Sequence, residues 1–114
     1  MKKIIIITVT IFFFYSCSKD TSSGGGISLD CSTVPKSFLT DVNPIVQNFC
    51  NTAGCHNTGS TNGPGPITNY TEILTNRVTI RASIASGTMP KTSTLTTVQK
   101  NSFLCWIDSG APNN

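Results

Sequence analysis

Apolar residues recur at helical spacing in three stretches of the chain and predict helical regions over 40–50, 71–86 and 95–110. In the first region Ile45 and Phe49 lie four residues apart and therefore share one face. The stretches between the regions are rich in glycine, proline, asparagine and threonine, which favour turns and loops. The pattern therefore predicts helices joined by polar loops.

The beginning of the first helix can be read from its polar residues. Thr40 or Asp41 can cap it, and Pro44 fits only within a first turn, where its missing N–H has no helical partner. A helix with this start would deliver Cys50 directly into the loop that follows.

The middle region, 71–86, is predicted to carry one helix or two shorter helical pieces. In the second case Asn76 can cap the second piece. The apolar positions of that piece form an amphipathic pattern: Val78, Ile80, Ile84 and Ala85.

The last region, 95–110, has the pattern of a helix that is meant to be buried. Thr94 or Thr96 can cap this helix, while Gly110 and Pro112 end it. Its apolar positions are Leu95, Val98, Cys105 and Trp106, broadened by Phe103, Leu104 and Ile107. Its natural packing partner is the first helix.

The N-terminal 30 residues are expected to lie outside the folded domain. Residues 1–16 have a basic start and a charge-free run too short to span a bilayer, as in an export signal. Ser16 before Cys17 resembles, loosely, the lipobox of bacterial lipoproteins, in which the thiol is acylated; the alternative is ordinary cleavage with Cys17 free. Residues 17–30 contain three consecutive glycines and predict a lipid-anchored, flexible linker. The domain then covers 31–114.

Charge adds little to this picture. Only 11% of the residues are charged, and the formal net charge of +3 includes Lys2 and Lys3 of the predicted signal. The remaining six basic and five acidic residues leave a charge near +1. Such a balance gives no electrostatic footprint for nucleic acid.

The chemistry of the chain is concentrated between Cys50 and His56. Two thiols and the only histidine lie within seven residues, with four residues between Cys50 and Cys55. A cysteine pair followed directly by histidine is how haem is attached covalently, with two thioethers and an axial imidazole. A Cys50–Cys55 disulfide and a partial zinc site are the alternatives, and the zinc site needs further ligands.

Two features downstream fit a haem. Met89 lies in a loop between glycine and proline and can supply a thioether ligand on the opposite side of the iron. A proline carbonyl in the segment 63–67 can accept a hydrogen bond from the ring N–H of His56, or the segment can be a plain rigid turn. Arg77 and Arg81 share a helix face and could pair with haem propionates, but a solvated face is favoured.

The five cysteines can all be assigned. Cys17 goes to lipid, Cys50 and Cys55 go to haem, and Cys31 with Cys105 forms a disulfide if the first and last helices pack together. An oxidising compartment, which the export signal implies, permits such a bond.

These motifs together resemble a small monohaem c-type cytochrome domain. The resemblance rests on Cys50–His56, on Met89-Pro90, and on the segments 42–46 and 106–112. It is strongest to domains of bacterial lipoproteins and of envelope enzymes in Bacteroidetes and Planctomycetes. The resemblance implies an all-α, cytochrome c-like fold of three to five helices around one covalent haem c. It also implies iron ligation by His56 and Met89, and electron transfer as the activity.

The predicted function is electron transfer by a protein that is not an enzyme, is lipid-anchored in the cell envelope and is expected at the outer membrane. Its predicted partners are redox proteins of the envelope and the membrane itself, with no nucleic acid. Two alternatives remain: a haem protein with an open distal site that senses gas or acts as a weak peroxidase, and a haem-free, disulfide-stapled binding lipoprotein. Paired carboxylates and a Ser-His-Asp set are not apparent, so hydrolysis has little support.

Overall fold

The computed structural model describes residues 29–114 as three helices joined by irregular loops, with no strand in that range. The first helix, α1, consists of a π-helical turn Phe38–Val42, an α-helical Asn43–Ile45 and a second π-helical turn Val46–Cys50. Helix α2 spans Tyr70–Ser86 and helix α3 spans Thr97–Asp108. The all-α class predicted from the sequence is therefore confirmed for the described residues.

Helix α1 begins before the predicted caps. Ser37, not Thr40 or Asp41, is the N-cap, and its Oγ accepts a hydrogen bond from the Thr40 N–H. Asp41 bonds back to this cap, because its carboxylate accepts a hydrogen bond from the Ser37 N–H at 2.7 Å. Pro44 thus lies beyond the first turn, directly after a π-helical turn whose bonds run from residue i to i−5. The wider turn gives room for a ring that lacks an N–H.

The N-terminus of α1 is held by the other end of the chain. The Leu39 N–H donates to the Asn114 main-chain carbonyl at 2.8 Å, and the Phe38 N–H donates to the Asn114 Oδ1 at 2.9 Å. These bonds satisfy N–H groups that a helix start leaves without partners. The sequence pattern could not reveal this contact because the residues lie about 76 positions apart.

Helix α2 is one uninterrupted helix. Asn69 caps it by accepting the Glu72 N–H on Oδ1, and Gly87, with φ of 75°, ends it. Asn76 is not a cap; its side-chain amide donates to the Glu72 carbonyl inside the helix.

The buried face of α2 is narrower than the predicted pattern. Ile73, Ile80 and Ile84 are buried, whereas Val78 is 75% exposed and Ala85 is exposed. The prediction that Val78 and Ala85 belong to the buried face was wrong. The buried isoleucines recur at spacings of seven and four, which is one narrow face of a helix, and Val78 lies off that face.

Helix α3 has the predicted Thr96 cap, here as a full capping box with Gln99. The predicted start was two residues early, because Leu95 lies in the loop before the helix. Val98 is 66% exposed and does not belong to the apolar face. Burial instead covers the continuous run from Ser102 to Ile107, so this part of α3 is enclosed on all sides.

The core is centred on an aromatic cluster that joins all three helices. Trp106 of α3 is fully buried, with ring centroids 5.5 Å from Phe38, 6.0 Å from Phe103 and 6.3 Å from Tyr70. These separations are typical of favourable aromatic pairs. The first turn of α1 packs against α3, as the sequence predicted for the first and last helices.

A disulfide joins Cys31 to Cys105, with the Cα atoms 5.5 Å apart. The predicted pairing is confirmed. It fixes the chain before α1 to the fully buried part of α3. Leu29, which the sequence placed in the linker, packs partly buried against the core, so the ordered domain begins before Cys31.

Removing this disulfide is expected to lower stability. The variant with both Cys31→Ala and Cys105→Ala should lose about 2–4 kcal/mol of unfolding free energy, because the bond closes a long loop in the unfolded chain. Urea unfolding followed by circular dichroism measures the change. Reduced wild-type protein is the control and should match the variant; an unchanged midpoint in both would contradict the prediction.

The paired arginines of α2 face solvent, as the sequence favoured. Arg81 forms a two-bond ion pair with Asp108 of α3, including Nη2 to Oδ2 at 2.8 Å, and Arg77 donates to the Leu74 carbonyl. The hydrogen bond to Arg81 lowers the pKa of Asp108 below its usual value. Both side chains are partly exposed, so the pair adds little stability.

None of the helices within residues 29–114 combines the length and apolar content needed to cross a lipid bilayer. The predicted export signal, the acylated Cys17 and most of the linker lie outside the described residues.

Candidate functional site

One cleft collects the residues singled out by the sequence. It lies between the end of α1, the loop 51–69, the inner face of α2 and the loop that follows α2. It consists of a larger cavity of about 280 Å³ and a smaller one of about 60 Å³. Both cavities are lined by Cys50, His56, Gly63, Met89 and Pro90, so they are parts of one site.

The two thiols of this cleft are free. Cys50 is the last residue of α1, as predicted, and Cys55 follows in the loop; both are half-buried. Both residues line the larger cavity, and their sulfurs are not joined to each other. The alternative of a Cys50–Cys55 disulfide is therefore not what the structure contains.

The four residues between the thiols form a compact turn. The Cys55 N–H donates to the Thr52 carbonyl at 3.0 Å, and the His56 N–H donates back to the Cys50 carbonyl at 3.1 Å. Gly54 has φ of 78°, a left-handed conformation that glycine adopts without strain. Backbone hydrogen bonds thus close the four-residue segment between the thiols and bring Cys50, Cys55 and His56 to the same side of the turn.

His56 is buried and oriented by one hydrogen bond. Its Nδ1 lies 2.9 Å from the Gly65 carbonyl, and a carbonyl can only accept, so Nδ1 carries the proton. Nε2 is left with a lone pair for a metal. The sequence left open a proline carbonyl as acceptor or a plain rigid turn; the segment does supply the acceptor, but it is Gly65, between Pro64 and Pro66.

The backbone of the loop explains why the acceptor is the Gly65 carbonyl. Gly65 has φ of 99°, and the Ile67 N–H donates to the His56 carbonyl at 2.8 Å. Together these features turn the Gly65 carbonyl toward the imidazole. A proline, whose φ is fixed near −65°, cannot adopt the conformation that Gly65 has.

Met89 reaches the same cleft from the other end of α2. The Ser83 carbonyl accepts the Thr88 and Met89 N–H groups at 3.0 and 3.2 Å, and Gly87 turns the chain out of the helix. Met89 is half-buried and lines both cavities together with His56. The structure thus brings together His56 and Met89, which are 33 positions apart in the chain.

The cleft wall is mainly apolar. Several residues of this wall were not expected from the sequence pattern, which placed Leu95 in a helix and indicated no role for Ile67. The apolar side chains that line the two cavities are Phe49, Pro64, Ile67, Ile80, Ile84 and Leu95. Lys91 is the one charged residue among those lining them. A cleft of this kind suits a large apolar ligand with few polar groups.

Burial changes the acidity of one thiol. Desolvation, with a smaller contribution from Cys55, raises the pKa of Cys50 to about 11. In the haem-free protein at neutral pH, Cys50 is therefore a neutral thiol that fits its apolar surroundings.

This shift predicts slow alkylation of Cys50 in the folded, haem-free protein. At pH 8 its thiolate fraction should be on the order of a hundredfold smaller than in urea, so iodoacetamide should modify it correspondingly more slowly. The rate should rise with pH up to about 11. Peptide mass mapping measures modification at Cys50, with the urea-unfolded protein as control. Equal rates in the two states would contradict the prediction.

The donor set of the cleft is suited to a covalently held porphyrin. Two free thiols, one imidazole with its Nδ1 proton held by a carbonyl and one thioether line a mainly apolar cleft, and these are the groups that attach and ligate a c-type haem. Among residues 29–114, no three side chains of histidine, cysteine, aspartate or glutamate are arranged to hold a metal ion by themselves.

Comparison of the chain with profiles of known protein families, with curated proteins and with solved structures finds no match.

Proposed function

We propose that this protein is a membrane-tethered electron carrier with one covalent haem c ligated by His56 and Met89. The observation that carries the proposal is the meeting of four side chains at one apolar cleft: Cys50, Cys55, His56 and Met89. They come from the end of α1, the following loop and the loop after α2. Haem c, when bound, would supply an iron that takes up and releases one electron.

Each of these residues has a defined task in the proposal. Cys50 and Cys55 form thioethers, which keep the cofactor from dissociating. His56 presents Nε2, because the Gly65 carbonyl holds the proton on Nδ1. The same hydrogen bond makes the imidazole a stronger donor and fixes its orientation.

Met89 is proposed to hold the iron together with His56. A thioether is a soft, neutral ligand, so it favours the reduced state of iron and raises the reduction potential. The Ser83 carbonyl holds the Thr88 and Met89 N–H groups, which limits the movement of the loop. A thioether held in this way would keep oxygen and other small molecules from the iron.

The apolar wall has a separate task. Ile67, Ile80, Ile84 and Leu95 line the smaller cavity and make its wall almost entirely apolar. A dry environment disfavours the additional charge of oxidised iron and adds to the effect of Met89 on the potential.

The proposed location follows from the N-terminal residues. Export by residues 1–16 and acylation of Cys17 would tether the domain to the cell envelope, at the outer membrane, through a linker that ends near Leu29. The proposed partners are redox proteins of the envelope.

Optical spectroscopy and mass spectrometry test the proposal. The full chain, produced together with a haem-attachment system, should retain haem after acid-acetone extraction and give sharp reduced bands in alkaline pyridine. A variant carrying both Cys50→Ser and Cys55→Ser is the matched control and should lose the haem on extraction. Wild-type protein with the mass of the polypeptide alone would exclude the proposal.

The haem-free alternative is distinguished by the same mass measurement. One of the two disulfides that it requires, Cys31–Cys105, is present, while the second pair is free. Protein that matures beside available haem with a Cys50–Cys55 bond, two mass units below the chain with these two thiols free, would favour a disulfide-stapled binding lipoprotein.

A further inference from the structure

We propose that Asn62 is a positioning residue that holds Cys55 and His56 in the geometry needed for attachment to haem. The inference rests on the proposed function, because it concerns how the cofactor site is built. Asn62 is an exposed residue of the loop after His56 and also lines the larger cavity.

The side chain of Asn62 bonds to the turn that carries the second thiol. Its amide Nδ2 donates to the Gly54 carbonyl at 3.0 Å and to the Cys55 carbonyl at 2.9 Å. The Ser60 hydroxyl donates to the same Cys55 carbonyl and accepts the Asn62 N–H at 3.2 Å. The backbone of Cys55 is therefore fixed from outside the turn by two side chains.

The main chain of Asn62 acts on the imidazole. Its carbonyl accepts the Gly65 N–H, and the Gly65 carbonyl in turn accepts the proton on Nδ1 of His56. One residue thus connects the backbone of Cys55 with the hydrogen bond that orients His56.

The length of the turn explains why such support is needed. A segment of four residues between the thiols has more conformations than a shorter one would have. Each additional conformation lowers the fraction of chains in which both sulfurs are correctly placed. Cys50 does not depend on this support, because it belongs to α1 and its position is set by the helix. Cys55 is held only within the loop.

Attachment at each cysteine is an addition without net oxidation or reduction. The thiol sulfur bonds to one carbon of a haem vinyl group and the thiol hydrogen goes to the other carbon, with no leaving group. If Asn62 positions Cys55, its loss should impair the bond at Cys55 and spare the bond at Cys50. A general loss of folding would impair both bonds equally.

The test compares full-length wild type with Asn62→Ala and Asn62→Asp, each produced with a haem-attachment system. Asn62→Asp has nearly the same shape but cannot donate to the two carbonyls. Chains linked only through Cys50 keep a free thiol, so alkylation after denaturation marks Cys55 and peptide mass mapping measures the singly linked fraction. We expect this fraction to rise about tenfold, as in other losses of residues that orient ligands.

Asn48→Ala is the matched control. The Asn48 amide also donates to a backbone carbonyl, that of Pro44, but Asn48 is exposed on α1 and lines neither cavity of the cleft. This variant should attach haem as wild type does.

The outcomes separate the two proposals. Wild type without covalent haem would exclude both the proposed function and this inference. Wild type with two thioethers, together with Asn62 variants that have the same linkage pattern or lose both bonds equally, would overturn the inference alone.

Discussion

Trp106→Ala is expected to lower the unfolding free energy by about 3–5 kcal/mol, the range for removing a large aromatic side chain from a packed core. Trp106 is fully buried and touches the rings of Phe38, Tyr70 and Phe103, so its loss removes contacts with α1, α2 and α3 together. Since small domains are stable by only about 5–15 kcal/mol, much of the total would be lost.

A second effect of this substitution reaches the start of α1. The Trp106 indole N–H donates to the Pro112 carbonyl at 2.8 Å, and this segment leads to Asn114, which accepts N–H groups of α1. Loss of the indole should therefore also loosen the first turn of α1.

Urea unfolding followed by circular dichroism measures the loss, with variant and wild type in the same haem state. Val98→Ala on the same helix is the control. Val98 is 66% exposed, so its truncation should change stability by less than about 0.5 kcal/mol. Equal unfolding midpoints for the two variants would contradict the position of Trp106 at the centre of the core.

Met89→Ala is expected to convert a closed iron site into an open one. Under the proposed function, the reduced wild type does not bind carbon monoxide at neutral pH, because the thioether occupies the iron. The variant should bind it, and its reduction potential should fall, since a ligand that favours reduced iron has been removed.

Carbon monoxide difference spectra and a redox titration measure these two changes. Thr92→Ala is the matched control, because Thr92 lines the same cavity and has no proposed role at the iron. It should behave as wild type. Carbon monoxide binding by wild type itself would instead favour the alternative function as a gas sensor or weak peroxidase.

Local pattern was sufficient to predict the existence of the helices but not all of their buried faces. Thr96, with Gln99 three positions later, is a start signal contained in four residues, and the structure uses it. Val98 fits the helical period of α3, yet it is exposed, because periodicity gives possible faces and only packing selects one. The predicted cap of α1, Thr40 or Asp41, was too late in the chain for a related reason. Phe38 is buried against the core, and the helix therefore begins directly after Ser37.

The candidate site divides in the same way. Cys50, Cys55, His56 and Met89 were recognised because their chemistry is visible in the sequence, and the structure brings them to one cleft. The residues that orient them were missed or misassigned. Gly65 acts through its backbone carbonyl, and Asn62 acts through side-chain bonds to two other carbonyls. Whether such bonds form depends on the loop conformation, which no local sequence pattern gives.

The sequence by itself determined the three helical regions and the chemically distinctive residues of the 50–56 segment, because each depends on residue type at a short spacing. It also predicted the pairing of Cys31 with Cys105, from the count of cysteines and the expected packing of the first helix on the last. The tertiary structure decided which apolar residues are buried, which carbonyl holds His56, and that Asn114 completes the start of α1. These are contacts between residues distant in the chain or set by loop backbone angles, and their energies depend on distances that no local pattern contains.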